Sequence, residues 1–162
     1  MKKYKWIVIL VNLLLILVYI NWSIGSKESL LDEGELVLIE LAPVDPRSIM
    51  QGDYMNLRYK LAKGLDVASL SKRGYCVVSI NPDKVGSILR YQQNTIPLEE
   101  GEKLIKYTKK SQNTLYLGAD SFFFQEGQAE KYEKAKYGAL KIDSNGNSLL
   151  VGLYDTDLKA IE

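Results

Sequence analysis

The stretch PVDPRSIMQGDYMNLRY, residues 43–59, passes from a rigid turn into an alternating strand. Pro43 and Pro46 each fix φ near −65° and push the residue before them out of the α region, so Val44, Asp45 and Arg47 belong to a stiff, extended connector. Gly52 and Asp53 then read as a turn pair. Gly tolerates positive φ, and Asp bonds its own nearby backbone. The residues that follow alternate as a half-buried strand does: Met55, Leu57, Tyr59 and Leu61 on one face, Tyr54, Asn56, Arg58 and Lys60 on the other. Asp45, Arg47 and Asp53 are thereby charges held close to an ordered strand, and they are candidate functional residues. The same residues equally suit a fastening, in which Arg47 bridges Asp45 or Asp53 and ties the strand down without any chemistry.

Upstream lies a single long apolar segment. Lys2, Lys3 and Lys5 precede it, and no charge occurs from Trp6 to Ser26. Those 21 residues as a helix reach about 31 Å, close to the hydrocarbon thickness of about 30 Å. Lysines before the span, with Lys27, Asp32 and Glu33 after it, place the amino end in the cytoplasm. Trp6, Tyr19 and Trp22 suit the interfacial aromatic belt, and Asn12 is one polar group that could bond a neighbouring helix. A cleaved signal peptide is the competing reading, because the strongest apolar run is short and Ser23-Ile24-Gly25 resembles a cleavage site. An uncleaved anchor over residues 1–26, followed by an exported domain over residues 27–162, is the preferred division. No Cys stands at the end of the apolar segment, so it is not a lipoprotein signal.

Residues 27–162 are enough for one domain with a sizeable core. The chain has 21 Lys and Arg, of which three precede the span, leaving 18 against 20 Asp and Glu. A slightly acidic domain without a basic stripe excludes the usual nucleic-acid binder. Short β-like segments punctuated by turns occur at 35–41, 53–61, 74–80, 85–91, 103–108, 114–117, 122–124, 137–142 and 149–154. The last two flank Asp143-Ser-Asn-Gly-Asn147, the clearest hairpin, with Asn145-Gly146 supplying the turn. Only 129–136 reads as helix beyond the anchor, supported by Glu130 and Lys134 at i,i+4. The expected fold is mainly β (α+β): one N-terminal transmembrane helix, then a compact antiparallel β domain with one short helix.

A second distinctive stretch runs from Phe122-Phe-Phe through Glu126-Gly127, Tyr132-Glu133 and Ala135-Lys136-Tyr137-Gly138. Together with Gly52-Asp53-Tyr54, Leu57 and Tyr59, it resembles the GDYXXLXY family of bacterial membrane-anchored proteins. The resemblance covers both ends of the exported domain and leaves about 63–113 unmatched. It implies a domain in the periplasm, a bacterial inner-membrane anchor and, because relatives accompany multi-span membrane proteins, an integral membrane partner. It implies no reaction.

Enzyme chemistry has little support in the residues. With no histidine, the usual base for Ser or Cys and the commonest metal ligand are both missing. A signal-peptidase arrangement would need a serine eight residues before Gly52, where Val44 stands; Ser48 lies past the prolines. Asp45, Asp53, Glu126, Glu130 and Glu133 could form a carboxylate pair for glycoside hydrolysis, but sequence does not show that any two converge. The oxygen side chains of 143–147 depart from the EF-hand pattern and fit a plain turn better. Cys76, within an apolar run, reads as a small core residue.

Eleven tyrosines against three phenylalanines raise two alternatives: a platform for glycan or protein built from Tyr54, Tyr91, Tyr107, Tyr116, Tyr132 and Tyr137, or tyrosines that rim a small sheet. The reading favoured is an interaction module with no cofactor, anchored in membrane lipid by its helix and docking on a multi-span membrane partner. A glycan- or peptidoglycan-binding domain, or a carboxylate-dependent hydrolase, is the alternative.

Overall fold

The fold is that of a computed structural model, which describes residues 2–42, 54–60, 67–111, 114–118 and 121–161. Helix α1, Lys2–Glu33, is continuous from the lysines through the apolar run and beyond it. The charges at Lys27, Glu28, Asp32 and Glu33 end the apolar run without ending the helix, because Lys, Glu and Leu are all good helix formers. From Trp6 to Ile20 the large apolar side chains are 45% to 75% exposed on every side of the helix. This is a helix long and apolar enough to span a membrane or to serve as a signal sequence. Among the described residues its second half meets the rest of the chain: Leu30 is buried, and α1 packs on the last two strands.

Gly34 alone separates α1 from the first strand. Its N–H bonds Leu30 O at 3.1 Å, and its own carbonyl accepts Lys141 Nζ at 2.8 Å. The polar backbone at the helix end is thus satisfied as the chain turns.

The strands are β1 Glu35–Glu40, β2 Tyr54–Asn56, β3 Arg73–Ile80, β4 Val85–Gln92, β5 Glu102–Ser111, β6 Thr114–Leu117, β7 Ser121–Phe123, β8 Tyr137–Ile142 and β9 Ser148–Tyr154, with a short helix α2 at Ala129–Tyr132. Among the described residues they form a seven-stranded sheet in the order β6-β5-β3-β4-β1-β8-β9 and a two-stranded sheet β2-β7. A mainly β domain with one short helix is therefore what the chain forms. The sheet is mixed, because β1 and β4 run parallel while the other pairs are antiparallel.

The sheet curls until it is nearly closed. The β8–β9 turn reaches β5, where Lys106 N–H donates to Gly146 O at 2.8 Å. At the end of β6, a Cβ on Gly118 would lie 2.9 Å from Ser148 Oγ at the start of β9. The curl encloses a core of Val37, Ile39, Cys76, Val78, Ile105, Tyr107, Leu140 and Leu153, among others. Bulges at Val77/Val78 and Ala139/Leu140 help bend it.

Polar fastenings outside the core are both local and between elements. In the hairpin loop before β9, the Asp143 carboxylate accepts the N–H groups of Asn145 and Asn147 and Nδ2 of Asn147, and Gly146 takes φ +78°. The oxygen-rich stretch is accordingly a self-bonded turn. Glu102 is the buried acid on β5; it pairs bidentately with Arg90 on β4, with Arg90 Nη2 to Glu102 Oε2 at 2.7 Å. The hydrogen bonds from Arg90 hold the Glu102 carboxyl below its ordinary range and the guanidinium above its own. Lys109 Nζ donates to the carbonyls of Val67 and Leu70 at 3.0 and 2.7 Å, tying the 3₁₀ turn Val67–Ser69 to β5.

Candidate functional site

The strand after Gly52-Asp53 is short. Only Tyr54–Asn56 pairs as β2, antiparallel to β7, with Tyr54 opposite Phe123, Met55 opposite Phe122 and Asn56 opposite Ser121. The chain then stays extended, and Tyr59 forms an isolated bridge with Leu41 at the end of β1. Two hydrogen bonds flank that bridge: Ala42 N–H to Arg58 O at 2.7 Å and Lys60 N–H to Glu40 O at 2.8 Å. The alternation is as expected, with Met55, Leu57 and Tyr59 buried and Asn56, Arg58 and Lys60 exposed. Leu61 lies outside the described residues, as do Asp45, Arg47, Gly52 and Asp53.

The two distinctive sequence segments converge here. Tyr132 of α2 is buried between Phe122 and Phe124, with ring centroids 5.2 and 4.9 Å apart. Leu41 N–H donates to Lys136 O at 2.8 Å, and Tyr137 pairs with Glu40 on β1 and Tyr154 on β9. Gly138 is where Tyr59 lies: a Cβ there would stand 3.1 Å from Tyr59 Cε1 and 3.5 Å from Leu41 Cδ2. A residue without a side chain is what lets the tyrosine ring lie against β8. Burial drives the Tyr59 hydroxyl's pKa well above its ordinary value, and its oxygen has no hydrogen-bond partner among the described residues.

A charged clasp covers the same bridge. Glu40 accepts Lys60 Nζ at 2.8 Å and Lys136 Nζ at 3.0 Å, one lysine from each distinctive segment. The hydrogen bond from Lys60, with that from Lys136, outweighs desolvation and holds the Glu40 carboxyl below its ordinary range. Sequence reasoning passed over Glu40. The available signal was its place at the end of an apolar strand just before the proline connector, on the opposite face from Glu35.

Other expected residues lie apart. Gly127 takes φ +85° in the turn after Phe124, and Glu126, Glu130 and Glu133 are exposed around that turn and α2. Helix α2 is a single turn and ends before Lys134, so the expected Glu130–Lys134 helical pair is not formed within it. Among the described residues no group of three or more His, Cys, Asp or Glu side chains could hold a metal. The tyrosines do not form one platform: Tyr107 and Tyr132 are buried, and Tyr91 packs edge-on against Tyr107. Tyr54 instead pairs with Phe123, centroids 5.7 Å apart. Phe123 is 74% exposed, an aromatic ring presented to solvent beside the motif strand. Cys76 is buried, and burial raises its thiol pKa well above the ordinary value.

Residues 16–153 match the family model described as GDYXXLXY protein. The chain belongs to the GDYXXLXY protein family. Neither the curated proteins nor the solved structures contain a match to it. The family's match spans the second half of α1, the sheet up to Leu153 in β9 and both segments that converge on Glu40 and Tyr59.

Proposed function

We propose that this GDYXXLXY protein is a membrane-anchored interaction module, held by α1 at the periplasmic face of the bacterial cytoplasmic membrane, whose β domain docks on an integral membrane partner. The observation that carries this reading is the junction of α1 with the sheet. The apolar helix continues to Glu33 and only Gly34 intervenes before β1, so the domain has no flexible leash. A domain held this way meets a partner in the same membrane at high effective concentration. The exposed apolar surface of residues 6–20 supports the anchor, because lipid is the environment in which such a surface carries no penalty.

Phe123 and Tyr54 supply the docking aromatics in this reading. A rigid aromatic pair beside a clasped strand is a suitable anchor for a partner surface. The same pair also favours a second reading, since an exposed ring is what stacks on a sugar face; glycan binding is that alternative. Hydrolysis draws less support, because the described carboxylates of its proposed set are exposed around a turn and a one-turn helix.

The test is gentle-detergent purification of the full-length protein from its own membranes, compared with Phe123→Ser and Arg47→Ala variants whose β circular dichroism is unchanged. A multi-span protein that copurifies with the parent and is lost from Phe123→Ser supports the module. Absence of any partner, with peptidoglycan fragments retained by the parent and lost from Phe123→Ser, would replace it with the glycan reading.

A further inference from the structure

We propose that the groove between the second half of α1 and the sheet binds the phosphate of an anionic phospholipid at the outer surface of the membrane. The groove encloses about 570 Å³ and is lined by Tyr19, Trp22 and Lys27 of the helix and by Lys106, Thr108 and Ser148 of the sheet. It goes beyond the partner reading but rests on α1 remaining as the anchor.

Depth is the first argument. At 1.5 Å per residue, Trp22 stands about 24 Å and Lys27 about 31 Å along the helix from Trp6. With Trp6 at the inner boundary of a hydrocarbon layer of about 30 Å, Lys27 reaches the outer boundary, where the headgroups begin, and Trp22 lies about 6 Å inside it. Trp22 is 74% exposed, so the chain itself leaves most of the ring uncovered. The groove runs from Tyr19 and Trp22, beside the acyl chains, to Lys27 at the boundary where the headgroups begin, the span that a phospholipid itself occupies.

Charge is the second argument. Lys106 is positioned by its backbone N–H on Gly146 O and by Nζ on Asn147 Oδ1 at 2.6 Å. Asp143, the carboxylate that shares the groove, already accepts three hydrogen bonds from its own turn. Its oxygens bond into the loop, and Lys27 and Lys106 are the two cationic side chains that line the same groove. The hydroxyls of Thr108 and Ser148 add hydrogen-bond donors of the kind a phosphate oxygen accepts.

The experiment reconstitutes the full chain in vesicles of phosphatidylcholine and phosphatidylglycerol, extracts it mildly, and weighs protein and retained lipid by native mass spectrometry. The parent is expected to retain phosphatidylglycerol over phosphatidylcholine, and K27Q/K106Q to lose about 30-fold of that preference. Ser26→Trp, which obstructs the groove from its helix wall and leaves both lysines, is expected to lose lipid as well. Far-UV circular dichroism of each variant checks that the sheet is intact. Displacement of the lipid by inorganic phosphate would overturn the lipid assignment in favour of a soluble ligand. An intact chain with equal retention of the two lipids, or with retention unchanged in both variants, would overturn the groove alone. A chain recovered without α1 would overturn the anchor and the groove together.

Discussion

Replacing Leu57 by alanine tests whether the motif segment is part of the cooperative fold. Leu57 lies just past β2 and is 1% exposed within the main core. The substitution removes the carbon volume of roughly three methylenes, about 2.4 kcal/mol at about 0.8 kcal/mol each. The cavity left behind raises the cost toward the range of about 2–5 kcal/mol found for buried Leu→Ala changes. At about 4 °C per kcal/mol for a domain of this size, the melting midpoint should fall by about 10–20 °C. Far-UV circular dichroism is the suitable probe, because the chain's two tryptophans, Trp6 and Trp22, both lie in α1 and neither belongs to the sheet's core around Leu57. Asn56→Ala, on the exposed face of the same strand, should stay within about 0.5 kcal/mol of the parent. If Leu57→Ala melted within 1 °C of the parent, or if Asn56→Ala cost as much, the motif segment would not be built into the core as described.

Other expectations follow from particular contacts. Gly74→Ala should lower stability by about 1–3 kcal/mol, because its Cβ would lie 2.8 Å from Gln92 O and 2.7 Å from the Tyr107 hydroxyl; Gly152→Ala, with nothing within 4 Å, should be near neutral in the same denaturation assay. Glu40 and Glu102 have folded pKa values below the ordinary 4.5, so their stabilisation is fully present above about pH 4.5 and is lost as pH falls through the lower folded values. Glu40→Gln should remove its part of that acid sensitivity, measured as melting midpoint against pH. The loss at neutral pH should be under about 1 kcal/mol, since Lys60 and Lys136 are about half exposed and solvent screens the pair. A flexible Gly-Ser insertion between Glu33 and Gly34 should lower partner recovery, because it dilutes a domain that α1 otherwise holds in place, and should also lower the sheet's melting midpoint by loosening buried Leu30 and the Gly34 N–H to Leu30 O bond. Asn12→Leu should lower partner recovery alone if the partner's helix packs on α1 in the membrane.

What sequence could and could not reveal follows from the range of each interaction. The closing hairpin was legible because Asp143, Asn145 and Gly146 bond their own backbone, and alternation around Met55, Leu57 and Tyr59 named the buried face correctly. The parallel pairing of β1 with β4 was not, since Leu38 meets Val85 across a long loop with no local signal for register. The apolar count ended the helix at Ser26, whereas helix formers carry it to Glu33 and bring Leu30 onto the sheet. The Glu40 clasp escaped notice because its lysines come from opposite ends of the domain and meet only once β1 has paired with β8 and with the segment around Tyr59. Asp45, Arg47, Gly52 and Asp53 lie outside the described residues, so their part in a fastening or a site rests on mutation.

The most direct measurement is the intact mass and topology of the protein in its own membranes. The account predicts a membrane-fraction protein that retains residues 1–26, with its β domain open to protease from the periplasmic side and protected from the cytoplasmic side. A soluble periplasmic product that has lost α1 would contradict it, because the rigid tether, the high local concentration of a membrane partner and the lipid groove would all disappear with the helix.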